Sequence, residues 1–149
     1  MKNLNERIKL NEGTIEYQTS RGIFFDNMFH RYKCTEGFWT IGYGHRCLSN
    51  TEPISISEAD HLLLLDITSA RESALKLHND EHQSVNDVLT ESVFQIGYVG
   101  LSKFKKMFKA LKAGDYFEAA NEMQNSRWFR QTPNRVQIHL NVLRHIGEK

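Results

Sequence analysis

Residues 31–45 read RYKCTEGFWTIGYGH. Trp39, Ile41 and Tyr43 alternate with Phe38, Thr40 and Gly42, the period of a β-strand, and Glu36-Gly37 offers the turn before it. A small sheet is expected here, with Cys34 at the entrance to its turn. Upstream, Leu4 and Ile8 stand four apart behind Asn3 as an N-cap, and Gly13 supplies a stop, so a short helix should end near Glu12. Residues 14–30, TIEYQTSRGIFFDNMFH, keep no regular period and read as a loop or ragged hairpin, although Phe24, Phe25, Met28 and Phe29 require burial.

Downstream the pattern is helical throughout. Ser57 and Asp60 have the spacing of a capping box, and HLLLLDITSARESALKL (61–77) continues without Gly or Pro. Val85, Val88, Leu89, Ser92, Val93 and Ile96 share one helical face that closes at Gly97. Phe104, Met107, Phe108 and Leu111 form a core stripe, accompanied by five lysines that read as a solvated face able to attract anions. Asp115 and Glu118 repeat the capping-box spacing, and Thr132-Pro133 opens a last helix before Gly147. The fold class is α+β and mainly helical: a small sheet near the N-terminus, then helices only.

With 149 residues, 40% hydrophobic and 25% charged, the chain suits one globular domain with a sizeable core and excludes disorder. No run approaches the ~18 apolar residues of a membrane span, so no stable membrane insertion is expected. MKNLNERIKL lacks the apolar run of a signal peptide, so synthesis in the cytoplasm is expected, and the two cysteines read as free thiols. Charge is unevenly distributed. Residues 1–100 carry nine Lys/Arg against fourteen Asp/Glu, and residues 101–149 carry ten against four. A basic end suits an anionic partner, whether nucleic acid, membrane surface or acidic wall polymer.

Four blocks, RIKLNEG (7–13), YKCTEGFWTIGYGH (32–45), VFQIGYVGLSKF (93–104) and SRWFRQTPNR (126–135), resemble the phage lysozyme family typified by the endolysin of the T-even phages, and they keep its order. The resemblance implies a lysozyme-like two-lobe fold: a small N-terminal sheet lobe (about 12–56), a connecting helix (about 57–77) and a larger helical C-terminal lobe (about 78–149) packed with helix 3–12. It also implies hydrolysis of the β-1,4 bond between N-acetylmuramic acid and N-acetylglucosamine in peptidoglycan, without a cofactor.

The family's catalytic pattern is Glu-Gly, a later Asp, and Thr six positions after that Asp. Glu12 precedes Gly13 and Thr40 opens TIGYGH, but the position six before Thr40 is Cys34. Glycoside hydrolysis needs a proton-bearing carboxylic acid, and the partial negative charge at a helix C-terminus suits Glu12 to that role. A cysteine can serve as base or nucleophile only as thiolate, whose fraction a neighbouring Lys33 or His45 could increase. Some members of the wider family also carry Cys here. Twenty-one residues separate Glu12 from Cys34, about thirteen more than the family pattern, as an inserted loop allows. Asp26, within that insertion, is the alternative source of the missing carboxylate.

By the same resemblance Thr40 places the attacking water, Arg135 holds Glu12, Phe94 and Gln95 line the substrate cleft, His45 and Asp66 form a structural ion pair, and Trp128 belongs to the core. His30, Cys34, His45 and Cys47 have no standard zinc spacing, so no metal is assigned; a Cys34–Cys47 disulfide would depend on geometry. The expected partner is peptidoglycan and not nucleic acid, acted on by a monomer. It would be held in the host cytoplasm until a holin releases it, or be delivered to the wall with a virion. Two other readings remain open: a lytic transglycosylase using Glu12 alone, and a silent homologue that binds glycan or protein.

Overall fold

The computed structural model describes residues 3–149. The chain forms two compact units, one ending at Thr68 and the other beginning at Ser69. A small antiparallel sheet region precedes helices, the lysozyme-like α+β arrangement.

In the first unit, α1 (Leu4–Glu12) starts where the Asn3 side chain accepts the Glu6 N–H at 2.9 Å. It ends where the Gly13 N–H returns to the Lys9 carbonyl at 2.9 Å. Residues 14–30 are more ordered than their sequence predicts. They form a short helix, α2 (Ile15–Ser20), capped by the Thr14 hydroxyl, and a hairpin of β1 (Phe24–Phe25) and β2 (Met28–Phe29). Asp26 and Asn27 join its strands at φ 53° and 58°, the left-handed pair of a type I′ turn, whose twist matches the strands. Of the four apolar side chains expected to need burial, Phe29 is fully enclosed, with Phe24 edge-on at 4.9 Å and Tyr43 at 5.1 Å. Phe25 stays exposed and stacks on His30 at 3.6 Å.

A second sheet consists of β3 (Tyr32–Lys33), β4 (Trp39–Ile41) and β5 (His45–Arg46), all antiparallel. The first sheet is completed by β6 (Ile54–Ser55), paired with β2. The long helix α3 (Ile56–Leu77) follows at once. Its capping box lies two residues earlier than the sequence suggests: Ser55 Oγ accepts the Glu58 N–H at 3.1 Å, and Glu58 Oε1 accepts the Ser55 N–H at 3.2 Å. Asp60 instead pairs with Lys9 at 2.9 Å, fastening α1 to α3.

The second unit continues with α4 (Gln83–Ser102), interrupted at Gly97, where φ 81° and ψ 162° break the helical path. It then adds α5 (Lys105–Lys112), α6 (Tyr116–Gln124), α7 (Arg127–Gln131) and α8 (Pro133–Gly147). The apolar faces read from sequence converge in one core containing Val85, Leu89, Met107, Leu111, Met123 and Leu140. Burying each of these larger side chains contributes about 1.5–3 kcal/mol. Among the described residues no helix is long and apolar enough to cross a membrane.

The connection from α3 to α4 is fixed by Asp80, whose side chain is 4% exposed. It accepts hydrogen bonds from the His82 N–H at 3.0 Å and the Tyr116 hydroxyl at 3.0 Å, and contacts His78 Nε2 at 2.7 Å. Burial pushes its pKa up, but these donors outweigh that and hold it below the ordinary 3.8. Burial, reinforced by the Asp80 hydrogen bond, pushes the Tyr116 hydroxyl up to about 12. Because the native carboxyl is depressed, its stabilisation is complete above its ordinary pKa and is lost as pH falls through the lower native value. Asp80→Asn is expected to destabilise the fold by about 2–3 kcal/mol at neutral pH. In urea unfolding curves that difference should shrink progressively below the ordinary carboxylate range.

Candidate active site

Glu12 is the last residue of α1, and its carboxyl lies directly against the backbone of the loop between β4 and β5. A β-carbon at Gly44 would fall 2.7 Å from Glu12 Oε2 and 2.8 Å from its carboxyl carbon. Gly44 also has φ 81°, so both conformation and space call for glycine there. The same junction is bound from beneath by Gln18 of α2, which is 1% exposed. Its Nε2 donates to the Gly13 carbonyl and to the Gly42 carbonyl, each at 2.9 Å. One buried carboxamide thus ties the end of Glu12's helix to the loop that meets its carboxyl. Sequence reading missed Gln18, because its partner Gly42 lies 24 positions away.

The β3–β4 turn sets the other half of the site. The Cys34 N–H donates to the Phe38 carbonyl and the Gly37 N–H to the Cys34 carbonyl, both at 2.9 Å. With Gly37 at φ 86°, this is a three-residue hairpin loop closed by a glycine bulge. Tyr32 stands opposite Thr40 and Lys33 opposite Trp39. Alternation therefore puts Tyr32, Cys34 and Thr40 on one face and Lys33, Trp39 and Cys47 on the other. Contacts follow the same division: Lys33 Nζ lies 5.4 Å over the Trp39 ring, while Arg46, opposite Thr40, stacks at 3.9 Å over Phe38.

Cys34 is half-buried and free. Burial pushes its thiol pKa up, but the backbone N–H groups of Phe38 and Glu36 and the Thr40 hydroxyl all act on the sulfur and lower it overall. The sulfur occupies the acceptor position that an aspartate oxygen takes in an Asx turn. The Thr40 oxygen is also 3.0 Å from the Phe38 carbonyl. Its single proton can serve either acceptor, and a thiolate is the stronger. The activating groups are therefore the turn itself and Thr40, whereas Lys33 and His45 belong to the opposite face. Tyr32 is pushed up to about 12, chiefly by burial and then by the charges of Glu12 and Cys34. It remains a neutral hydroxyl.

His45 Nδ1 lies 2.8 Å from Asp66 Oδ2 on α3. Asp26 sits exposed at the tip of the β1–β2 hairpin. His30 stacks on Phe25 and the two cysteines lie on opposite faces; among the described residues no group of three His, Cys, Asp or Glu side chains is placed to hold a metal. In the second unit Phe94 and Gln95 are half-buried on α4, Gln95 Oε1 is 3.3 Å from His139 Nε2, Trp128 is buried, and Arg135 stands in the first turn of α8.

A helix-terminal glutamate held against the loop of a small antiparallel sheet, with a second small sheet beside it in the chain and helices after both, marks a lysozyme-like protein. The chain belongs to the phage lysozyme family, whose model matches residues 27–142. Cys34, Thr40, His45, Asp66, Phe94, Gln95 and Arg135 lie inside that span, and Glu12 precedes it. Probable T4-type lysozyme 2 of Dictyostelium discoideum is 33% identical over 134 residues, covering 70% of this chain and 79% of the relative. The endolysin of Acyrthosiphon pisum secondary endosymbiont phage 1 is 30% identical over 107 residues, covering 69% and 70%. The pre-baseplate central spike protein Gp5 of Enterobacteria phage T4 is 28% identical over 135 residues, covering 70% of this chain and 23% of that protein.

Two substitutions check this geometry. Thr40→Val removes a donor from the Cys34 sulfur, so the midpoint of iodoacetamide alkylation against pH is expected to move upward relative to wild type. Gly44→Ala forces both a strained backbone and a displaced Glu12 side chain. It is expected to lose about 1–3 kcal/mol of stability in denaturant titration, more than the same change at Gly22, where an added β-carbon meets nothing within 4 Å.

Proposed function

We infer that the protein is a peptidoglycan muramidase that hydrolyses the β-1,4 bond between N-acetylmuramic acid and N-acetylglucosamine. The observation that carries this reading is a thiol with a lowered pKa beside Thr40, on a hairpin whose following loop packs against the Glu12 carboxyl. Glu12 is the general acid: its proton goes to the glycosidic oxygen as the bond from that oxygen to C1 breaks. Cys34 thiolate completes the reaction in one of two ways. As nucleophile it bonds to C1; Glu12, now a carboxylate, then takes a proton from water as the water oxygen attacks C1 and expels the thiolate. As base it takes the proton of a water that attacks C1 directly, inverting the anomeric centre.

Thr40, able to hydrogen-bond sulfur, is assigned to steady the thiolate or position that water. His45 with Asp66 supports the lobe, while Arg135, Phe94 and Gln95 enter the reading as holder of Glu12 and substrate contacts on the family pattern alone. No step calls for a cofactor, and the protein acts as a monomer. It reaches the wall from the host cytoplasm through a holin, or with a virion; the second route is supported by similarity to a phage spike protein.

Digestion of peptidoglycan in heavy-oxygen water, followed by mass spectrometry of the fragments, tests the reading. Wild type should label the new reducing ends. Glu12→Gln and Cys34→Ala should each lower the rate by about 10²–10⁴-fold, and the anomer formed first separates nucleophile from base. Undiminished labelling by Cys34→Ala would move the second role elsewhere, with Asp26 first in line. Anhydro ends would mean a transglycosylase, and no fragments from folded wild type would leave a protein that binds without cutting.

A further inference from the structure

Five lysines, Lys103, Lys105, Lys106, Lys109 and Lys112, lie on or beside α5, and all five are exposed. Among the described residues none of them joins an ion pair, whereas Lys9 and Arg71 elsewhere do. Their arrangement suits the helix only in part: Lys109 and Lys112 stand in the last turn, where the dipole favours cations. Lys105 and Lys106 occupy the first turn, where the helix dipole disfavours cations, and Lys105 and Lys109 repel one another four residues apart. Lys105, Lys109 and Lys112 also rim a cavity of about 360 Å³, with Leu77, Ser102 and Phe108 completing its lining and no carboxylate among them. The outer two stand seven positions apart along the helix, a rise of about 10 Å, so the rim is an extended line of charge rather than a pocket for one ion.

We propose that this lysine face of α5 docks an anionic phosphodiester polymer of the bacterial cell wall, holding the enzyme on its substrate surface. The choice of wall polymer rests on the muramidase reading; the polyanion itself rests on charge complementarity. Single-stranded nucleic acid fits less well, because such sites interleave cations with aromatic rings for base stacking, and Phe108 here is 8% exposed. A lipid surface fits less well too: the apolar side of α5, Met107, Phe108, Ala110 and Leu111, is already buried in the core, leaving nothing to insert. Binding by lysine ammoniums alone follows the polymer's charge and falls with salt.

Cosedimentation with cell-wall sacculi bearing poly(glycerol phosphate), before and after extraction of that polymer, tests the proposal on the full chain. The triple variant Lys105→Gln/Lys109→Gln/Lys112→Gln changes only exposed side chains, and circular dichroism verifies its fold. Wild type is expected to bind the intact sacculi about tenfold or more tightly than the extracted ones. The triple variant should lose most of that preference and lower the salt slope by about one for each lysine removed, while cutting short soluble glycan fragments at the wild-type rate. Equal binding of wild type to both sacculi would overturn the proposal. So would full retention by the folded triple variant, or tighter binding to single-stranded DNA or anionic phospholipid vesicles than to the polymer. Failure of the muramidase reading looks different: no labelled ends from any substrate, whatever the sacculi retain.

Discussion

The first unit is organised around the approach of the Gly44 backbone to the Glu12 carboxyl. A carboxylate at a helix end is ordinarily a mobile surface group. Here its oxygen and carboxyl carbon lie 2.7 and 2.8 Å from where a β-carbon at position 44 would stand, so the loop after β4 limits where that side chain can go. Such contact has to be held from outside, since a glycine contributes no side chain to hold it. Gln18 does so with two hydrogen bonds to carbonyls on the two sides of the junction, and Lys9 adds a third fastening to Asp60, with its ammonium 4.9 Å from the Tyr43 ring. In this way α2 underpins Glu12.

That role falls to the segment between Glu12 and Cys34. Its residues are not a slack loop: α2 supplies the buried carboxamide, and the β1–β2 hairpin closes a sheet with β6 just ahead of α3. Phe29, enclosed between Phe24 and Tyr43, joins that hairpin to the residue next to Gly44. The segment thus forms packing of its own, while the hydrogen bonds of the Cys34 turn are local.

Where periodicity or local capping carried the information, sequence was a good guide. The alternation through Trp39, Thr40 and Ile41 gave the strand, the long run to Leu77 gave the helix, and the α4 and α5 stripes gave the core faces. The four ordered blocks gave the family. The α3 capping box was misplaced because Ser55 and Ser57 offer the same spacing, and only the strand pairing of Ile54 and Ser55 decides between them. The β1–β2 hairpin did leave a signal, Asp26-Asn27 between apolar pairs, but it is weaker than a turn with glycine. Gln18 left none: a glutamine in a six-residue helix looks like solvent-facing polarity until its distant partner is known.

At position 34 the fold and the chemistry have separate requirements. The turn needs an acceptor for the N–H groups of Phe38 and Glu36 and for the Thr40 hydroxyl, and a sulfur can accept all three. The proposed reaction needs an ionisable group, and here thiol and carboxylate differ. An aspartate would place a standing negative charge on the face shared with Tyr32, beside the field of Glu12, and like charges disfavour one another. A thiol is neutral until it gives up its proton, so the same N–H and O–H donors that shape the turn stabilise a charge only when one develops on sulfur. Tyr32, kept protonated chiefly by burial, adds no charge of its own. A cysteine at position 34 therefore supplies the acceptor the turn needs while making negative charge there conditional on its own deprotonation.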